Sequence, residues 1–193
     1  MKWITSGLLK WENQTGMTNN LQINRLVIFA YGNPSRGDDA LGPTLLHLLE
    51  DSYSQDNIEF IEDFQLQVEH ALDLENCDMA LFIDASVSCP LPFHFTRLQA
   101  QPDSSYTTHA MHPAAVLYVY QQTYSQVPPP TFLLSVRGES FELGESLSSA
   151  AQSYLTEAFN FLKQLIDKID FTMWQQIADS NAITKSTTHD NVK

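Results

Sequence analysis

Cysteine is scarce in this chain. Its 193 residues hold two, Cys77 and Cys89, with no CxxC and no zinc-like spacing. That leaves no disulfide framework to read and suits two reduced thiols in a cytoplasmic protein. Basic side chains are scarce as well. Ten Lys and Arg stand against 23 Asp and Glu, a formal net charge of -13. Such a charge repels phosphate backbones and anionic bilayers, so neither nucleic acid nor membrane is an expected partner. No stretch approaches the roughly 20 apolar residues of a membrane span. The N-terminus, Met1-Lys-Trp-Ile-Thr-Ser-Gly-Leu-Leu-Lys10, lacks the continuous apolar segment of a signal peptide. The expectation is a soluble, cytoplasmic, monomeric protein.

Several catalytic signatures are missing too. There is no Gly-x-Ser-x-Gly elbow and no His-Glu-x-x-His. The loop Gly32-Asn-Pro-Ser-Arg-Gly37 lacks the Lys-Ser/Thr of a phosphate cradle, and the acids after it would repel phosphate. It also lacks the spacing of a dinucleotide fingerprint. Cys89 precedes a proline in a turn and reads poorly as a nucleophile.

What is present is an alternation of strand and helix signals. Residues 1–24 are polar and aperiodic and read as a flexible extension. Residues 25–170 carry the pattern of one domain, and 171–193 read as a mostly polar tail. The run Leu26-Val-Ile-Phe-Ala30 does not alternate, which marks a strand buried on both faces. Leu41, Leu45, Leu48 and Leu49 then recur at helical spacing, with Pro43 in the first turn and Asp38 or Asp39 as a candidate cap. Ile58 to Ile61 is a second strand, and Val68, Ala71 and Leu72 suggest a short helix. Met79 to Ile83 is a third strand, ending at Asp84. Phe93 to Leu98 alternates and follows too closely for a crossover helix, so it is expected on an edge, antiparallel to the third strand. A helix opens at Pro113, and Thr131 to Val136 is a fifth strand. The final helix carries Leu147, Ala151, Tyr154, Leu155, Ala158, Leu162, Leu165, Ile166 and Ile169 on one face, with Ser146 or Ser148 to cap it. The fold class is α/β: three layers around a mostly parallel twisted sheet of about five strands, one antiparallel.

Ligands of such folds lie beyond the carboxyl ends of the strands. Asp38, Asp39 and Asp84 fall there, and the loop from Ala100 is long enough to bring His109 to them. Carboxylates with one imidazole suit a divalent metal of the nickel or zinc type, and they equally suit paired acid–base work. Each residue also has an ordinary reading: a helix cap for Asp38 or Asp39, a turn residue for Asp84, a loop or capping residue for His109 or His112. His47, His70 and His94 lie inside expected elements and read as structural or surface residues.

The stretch Val27-Ile-Phe-Ala-Tyr-Gly-Asn-Pro-Ser-Arg-Gly-Asp-Asp-Ala-Leu-Gly42 resembles the opening motif of the nickel–iron hydrogenase maturation endopeptidases. Leu81-Phe-Ile-Asp84-Ala85 is similar to that family's second acidic motif, and Thr108-His109 before a helix to its histidine motif. Gly144-Glu-Ser-Leu147-Ser148 is similar to the junction that opens its last helix. The resemblance spans roughly residues 25–168. It departs where many members carry Gly-Gly-Thr-x-Gly, since Asp63-Phe-Gln-Leu-Gln-Val-Glu-His70 stands there instead. That variant resembles the one in proteases serving soluble, cofactor-reducing hydrogenases.

The resemblance implies an aspartyl-type hydrolase that removes the C-terminal extension of a hydrogenase large-subunit precursor. Its expected catalytic and metal-contacting residues are Asp39, Asp84 and His109, with Asp38 as cap or supporting neighbour. The nickel would be supplied by the substrate, and the precursor would be the partner. Arg36 and Arg137 are candidates for contact with the substrate tail. Two alternatives stand beside this reading: a non-catalytic nickel-sensing chaperone, and an aspartic-type peptidase of the same fold with another substrate.

Overall fold

The computed structural model describes residues 23–102 and 111–187. The expected N-terminal extension lies outside the described residues except for its last two. Eleven elements follow in order: β1 (Leu26–Tyr31), a single 3-10 turn (Gly37–Ala40), α1 (Leu41–Ser52), β2 (Ile58–Asp63), α2 (His70–Asp73), β3 (Met79–Ser86), β4 (Phe93–Leu98), α3 (Pro113–Tyr124), β5 (Thr131–Arg137), α4 (Ser149–Ile166) and α5 (Phe171–Thr187).

The five strands form one sheet in the order β2-β1-β3-β5-β4. All neighbours are parallel except β4 and β5. The unbroken apolar runs of β1 and β3 are explained by helices on both faces. Leu26, Ile28 and Ala30 pack with α1, α4 and α5, while Val27, Phe29 and Tyr31 pack with α2 and α3. This is the three-layer arrangement expected from the alternation of elements.

Three expectations need correction. First, β4 is an antiparallel edge strand, but its neighbour is β5 and not β3. The six-residue connection 87–92 has the reach to skip the width of two strand spacings, about 10 Å. β5, arriving through α3, takes the place beside β3. Second, the helix expected to run to Ile169 ends at Ile166, with Ser148 capping its start by accepting from the Ala151 N–H at 3.1 Å. Third, the core does not close at 170. Asp170 caps a further helix, α5, accepting the Met173 N–H at 2.8 Å. Trp174 of α5 is fully buried against Phe95 and Phe132, and its indole N–H donates to the Leu165 carbonyl at 3.1 Å. A mostly polar segment thus supplies one of the largest core side chains. Among the described residues no helix is long and apolar enough to cross a membrane.

Candidate active site

The chain leaves β1 for β2 on one side and then returns to place β3 on the other. The point where strand order reverses therefore lies between β1 and β3, and it opens a crevice at their carboxyl ends. An open cleft of about 480 Å³ lies there, lined by residues that include Tyr31, Gly32, Asp39 and Asp84. Two of the three expected site residues are thereby brought together. His109 lies outside the described residues, though Met111, His112 and Pro113 just after it line the same cleft.

Asp39 is delivered by the loop after β1. Gly32 has φ +146°, and a Cβ there would lie 2.1 Å from the Asp39 carbonyl oxygen, so only glycine lets the chain fold back so tightly. One Asp39 carboxylate oxygen accepts the Asn33 N–H at 2.9 Å, which holds the side chain over the cleft. Gly42 lets the start of α1 sit directly on the strand ends: a Cβ would meet the Tyr31 carbonyl oxygen at 2.8 Å and that of Ile83 at 3.1 Å.

Asp84 lies inside β3, two residues from its end, and not behind it as expected. Alternation along β3 puts Asp84 on the face of Ala80 and Phe82, the face covered by α2 and α3. Register then aligns polar groups across the sheet. Tyr31 pairs with Asp63, and one step beyond the Ala30–Ile83 pair it stands beside Asp84. Asp84 pairs with Ser135, and Ser135 with His94. Among the described residues the buried Tyr31 hydroxyl meets no partner at good hydrogen-bond geometry, yet it is close enough to Asp84 for the two groups to affect each other's titration. Burial pushes the Asp84 carboxyl up to about 7; the Tyr31 hydroxyl opposes that rise, and the Asp39 charge adds to it. Burial and the Asp84 charge push the Tyr31 phenol well above its usual range. Sequence reasoning missed Tyr31, which looks like the last apolar residue of β1. Its register beside Asp84 is the signal that could have found it.

Asp38 does not cap its own helix. The cap position of α1 is Ala40, with no side-chain bond. Instead the fully buried Asp38 carboxylate accepts the N–H groups of Glu139, Ser140 and Ser148 at 2.7, 3.0 and 2.7 Å, and the Ser148 hydroxyl at 2.9 Å. Burial pushes its pKa up, but these four bonds outweigh burial and hold it below the usual value. Asp38 is therefore a brace between the loop after β1 and the loop that opens α4.

His112 caps α3, its Nδ1 accepting the Ala114 N–H at 3.1 Å. With Nδ1 accepting, the neutral ring carries its proton on Nε2. His70 is structural: Nδ1 accepts from Gln67 N–H at 2.9 Å and Nε2 faces Asp63 at 3.4 Å. His47 pairs with Glu62 at the surface. Arg36 lines the cleft, whereas Arg137 is spent on the Cys89 carbonyl at 2.8 Å. Two carboxylates suit a divalent cation, and among the described residues no third His, Cys, Asp or Glu completes a metal-holding group with them.

No family model and no curated protein matches the sequence. Solved structures do. A [NiFe] hydrogenase maturation protease HycI from Thermococcus kodakarensis KOD1 superposes with a TM-score of 0.61 at 16% identity, covering 77% of this chain and 96% of that one. The hydrogenase maturating endopeptidase HybD from E. coli gives 0.59 at 24%, covering 74% and 93%. A hydrogenase 2 maturation peptidase from a Thaumarchaeota archaeon gives 0.55 at 20%, covering 74% and 98%. This chain has the maturation-peptidase fold. The likeness spans nearly the whole of those chains and about three quarters of this one. At these identities it speaks to architecture, and chemistry has to be argued from the cleft.

Proposed function

We propose that this protein is an endopeptidase that trims the C-terminal extension from the nickel-loaded large-subunit precursor of a nickel–iron hydrogenase. The observation that carries the reading is the convergence of Asp39 and Asp84 in one cleft, at the strand-order reversal of a maturation-peptidase fold. Hydrolysis of a peptide needs a group to take a proton from water and a group to return one to the leaving nitrogen. Two carboxylates, one tethered by Asn33 and one buried beside Tyr31, are suited to that exchange. They are equally suited to contact a nickel ion carried by the precursor, with His109 as the third donor. In this reading the nickel is part of the substrate. A precursor without it offers those donors nothing to favour the productive complex, so cleavage follows only after metal insertion.

The test is a defined-component assay of purified protein and precursor, with the size of the large subunit read by mass spectrometry. Wild type is expected to shorten the nickel-loaded precursor and leave the nickel-free one intact. Asp39→Asn, Asp84→Asn and His109→Ala are each expected to slow cleavage by about 100-fold or more. Binding without cleavage by wild type would point to a nickel-sensing chaperone. Equal cleavage of both precursors would point to a carboxylate peptidase indifferent to nickel.

A further inference from the structure

The reaction proposed above leaves one requirement unassigned. As water adds to the scissile carbonyl, negative charge gathers on the carbonyl oxygen, and something must receive it. Asp39 and Asp84 are already assigned the proton transfers. Among the described residues the cleft lining includes no Lys and a single Arg, Arg36.

Arg36 is set apart from the chain's other arginines. Arg25 pairs with Glu59, Arg97 lies over Phe132 and Phe171, and Arg137 donates to Cys89. The Arg36 Nε donates to the Phe141 carbonyl at 3.2 Å, and among the described residues its two terminal nitrogens bond to nothing. That Nε bond braces the fork from behind. The backbone that carries it is fixed too, by Gly37 N–H to Glu145 O at 3.1 Å, Asp38 N–H to Ser140 O at 2.7 Å and Gly144 N–H to Ser35 O at 2.7 Å. A permanently charged donor lining a cleft that also holds two carboxylates is poorly placed to hold a resident anion, which those acids would repel. It is well placed to gain contact with an oxygen that becomes anionic only during reaction.

Resting on the proposed peptidase reading, we infer that Arg36 is a catalytic residue that holds the scissile carbonyl oxygen and stabilises it as an oxyanion. The step balances without a further reactant. The oxygen of water forms the new C–O bond, and the carbonyl electron pair moves onto the oxygen facing Arg36. When that pair returns, the C–N bond breaks, the nitrogen takes the proton given up by the water, and a carboxylic acid and an amine separate, the acid then releasing its remaining proton to solvent.

The experiment compares Arg36→Gln and Arg36→Lys with wild type in steady-state cleavage of the nickel-loaded precursor, after checking that all three melt alike. Arg36→Gln is expected to lower kcat about 100-fold with KM within about threefold of wild type. Arg36→Lys, which keeps the charge and loses the fork, is expected to recover about tenfold of that loss. A raised KM with kcat unchanged would make Arg36 a docking residue and overturn the inference. So would unchanged kinetics, or equal losses in both variants. If wild type itself fails to cleave, the peptidase reading falls, which is a separate result from an active wild type that tolerates Arg36→Gln.

Discussion

The two walls of the cleft are built differently. On one side, residues 33–40 are bonded across to residues 139–148 through the buried Asp38 carboxylate, the three backbone bonds and the Arg36 brace. On the other side stand Phe64 and Gln65, both exposed, with Met111 and His112. There, among the described residues, one long backbone bond joins the two segments, Met111 N–H to Leu66 O at 3.4 Å. Phe64 is 67% exposed, a large apolar side chain left in water at the cleft's mouth. Asp39 and Arg36 belong to the tied wall and Asp84 to the floor, where geometry must be fixed before substrate arrives. The loose wall is where the sequence departs from the Gly-Gly-Thr-x-Gly of the resembling family.

Asp38→Ala should break the comparison most severely. It strands four donors that have no other acceptor among the described residues, and each bond to a charged acceptor is worth about 1.5–3 kcal/mol. With part of that recovered as the loop opens to water, we expect a loss of about 3 kcal/mol or more in chemical denaturation, along with loss of cleavage. A loss below about 1 kcal/mol would show that the wall is held by something other than Asp38.

These features differ in how legible they were. Asp39 and Asp84 were readable because one lies in the short loop between the apolar run of β1 and the next helix and the other directly follows an apolar run, and a parallel sheet sends both to one edge. The structural partners of Asp38 were not, because they lie 101 to 110 residues away in sequence, and a cap on its own helix was the nearest local explanation. The packing of α5 was hidden for another reason. Among the described residues Trp174 and Ala178, one helical turn apart, are its fully packed positions, too few to raise an apolar stripe above a polar background. The partner of β4 depended on where β5 would enter the sheet, which pattern in β4 alone does not contain.

A second, smaller effect follows from the depressed pKa of Asp38. The folded-state value lies below the usual one, so the group's contribution is complete above the unfolded pKa near 4. As pH falls through that range the unfolded chain takes up the proton first, and the contribution fades until the folded carboxyl is protonated too. The stability gap between wild type and Asp38→Ala should therefore be constant from pH 8 to about pH 5 and narrow by pH 3. Paired urea titrations at several pH values measure it. A gap that widens in acid would reverse the assigned direction and detach the tied wall from the charge on Asp38.

The smallest effect is expected on the loose wall. Phe64→Ser removes a side chain that is mostly in water already and whose backbone N–H bond, to the neighbouring Asp63 carboxylate at 2.6 Å, does not depend on the ring. Exposed substitutions of this kind usually stay within about 0.5 kcal/mol of wild type. Leu66, two residues on, is 3% exposed and packs with Tyr31, Phe29 and Val116, so Leu66→Ala should cost about 2–3 kcal/mol and serves as the internal control. If Phe64→Ser costs as much as Leu66→Ala, the ring supports the fold, and the two walls are alike in kind. If it costs nothing, the exposed aromatic persists at the cleft's mouth without any debt to stability.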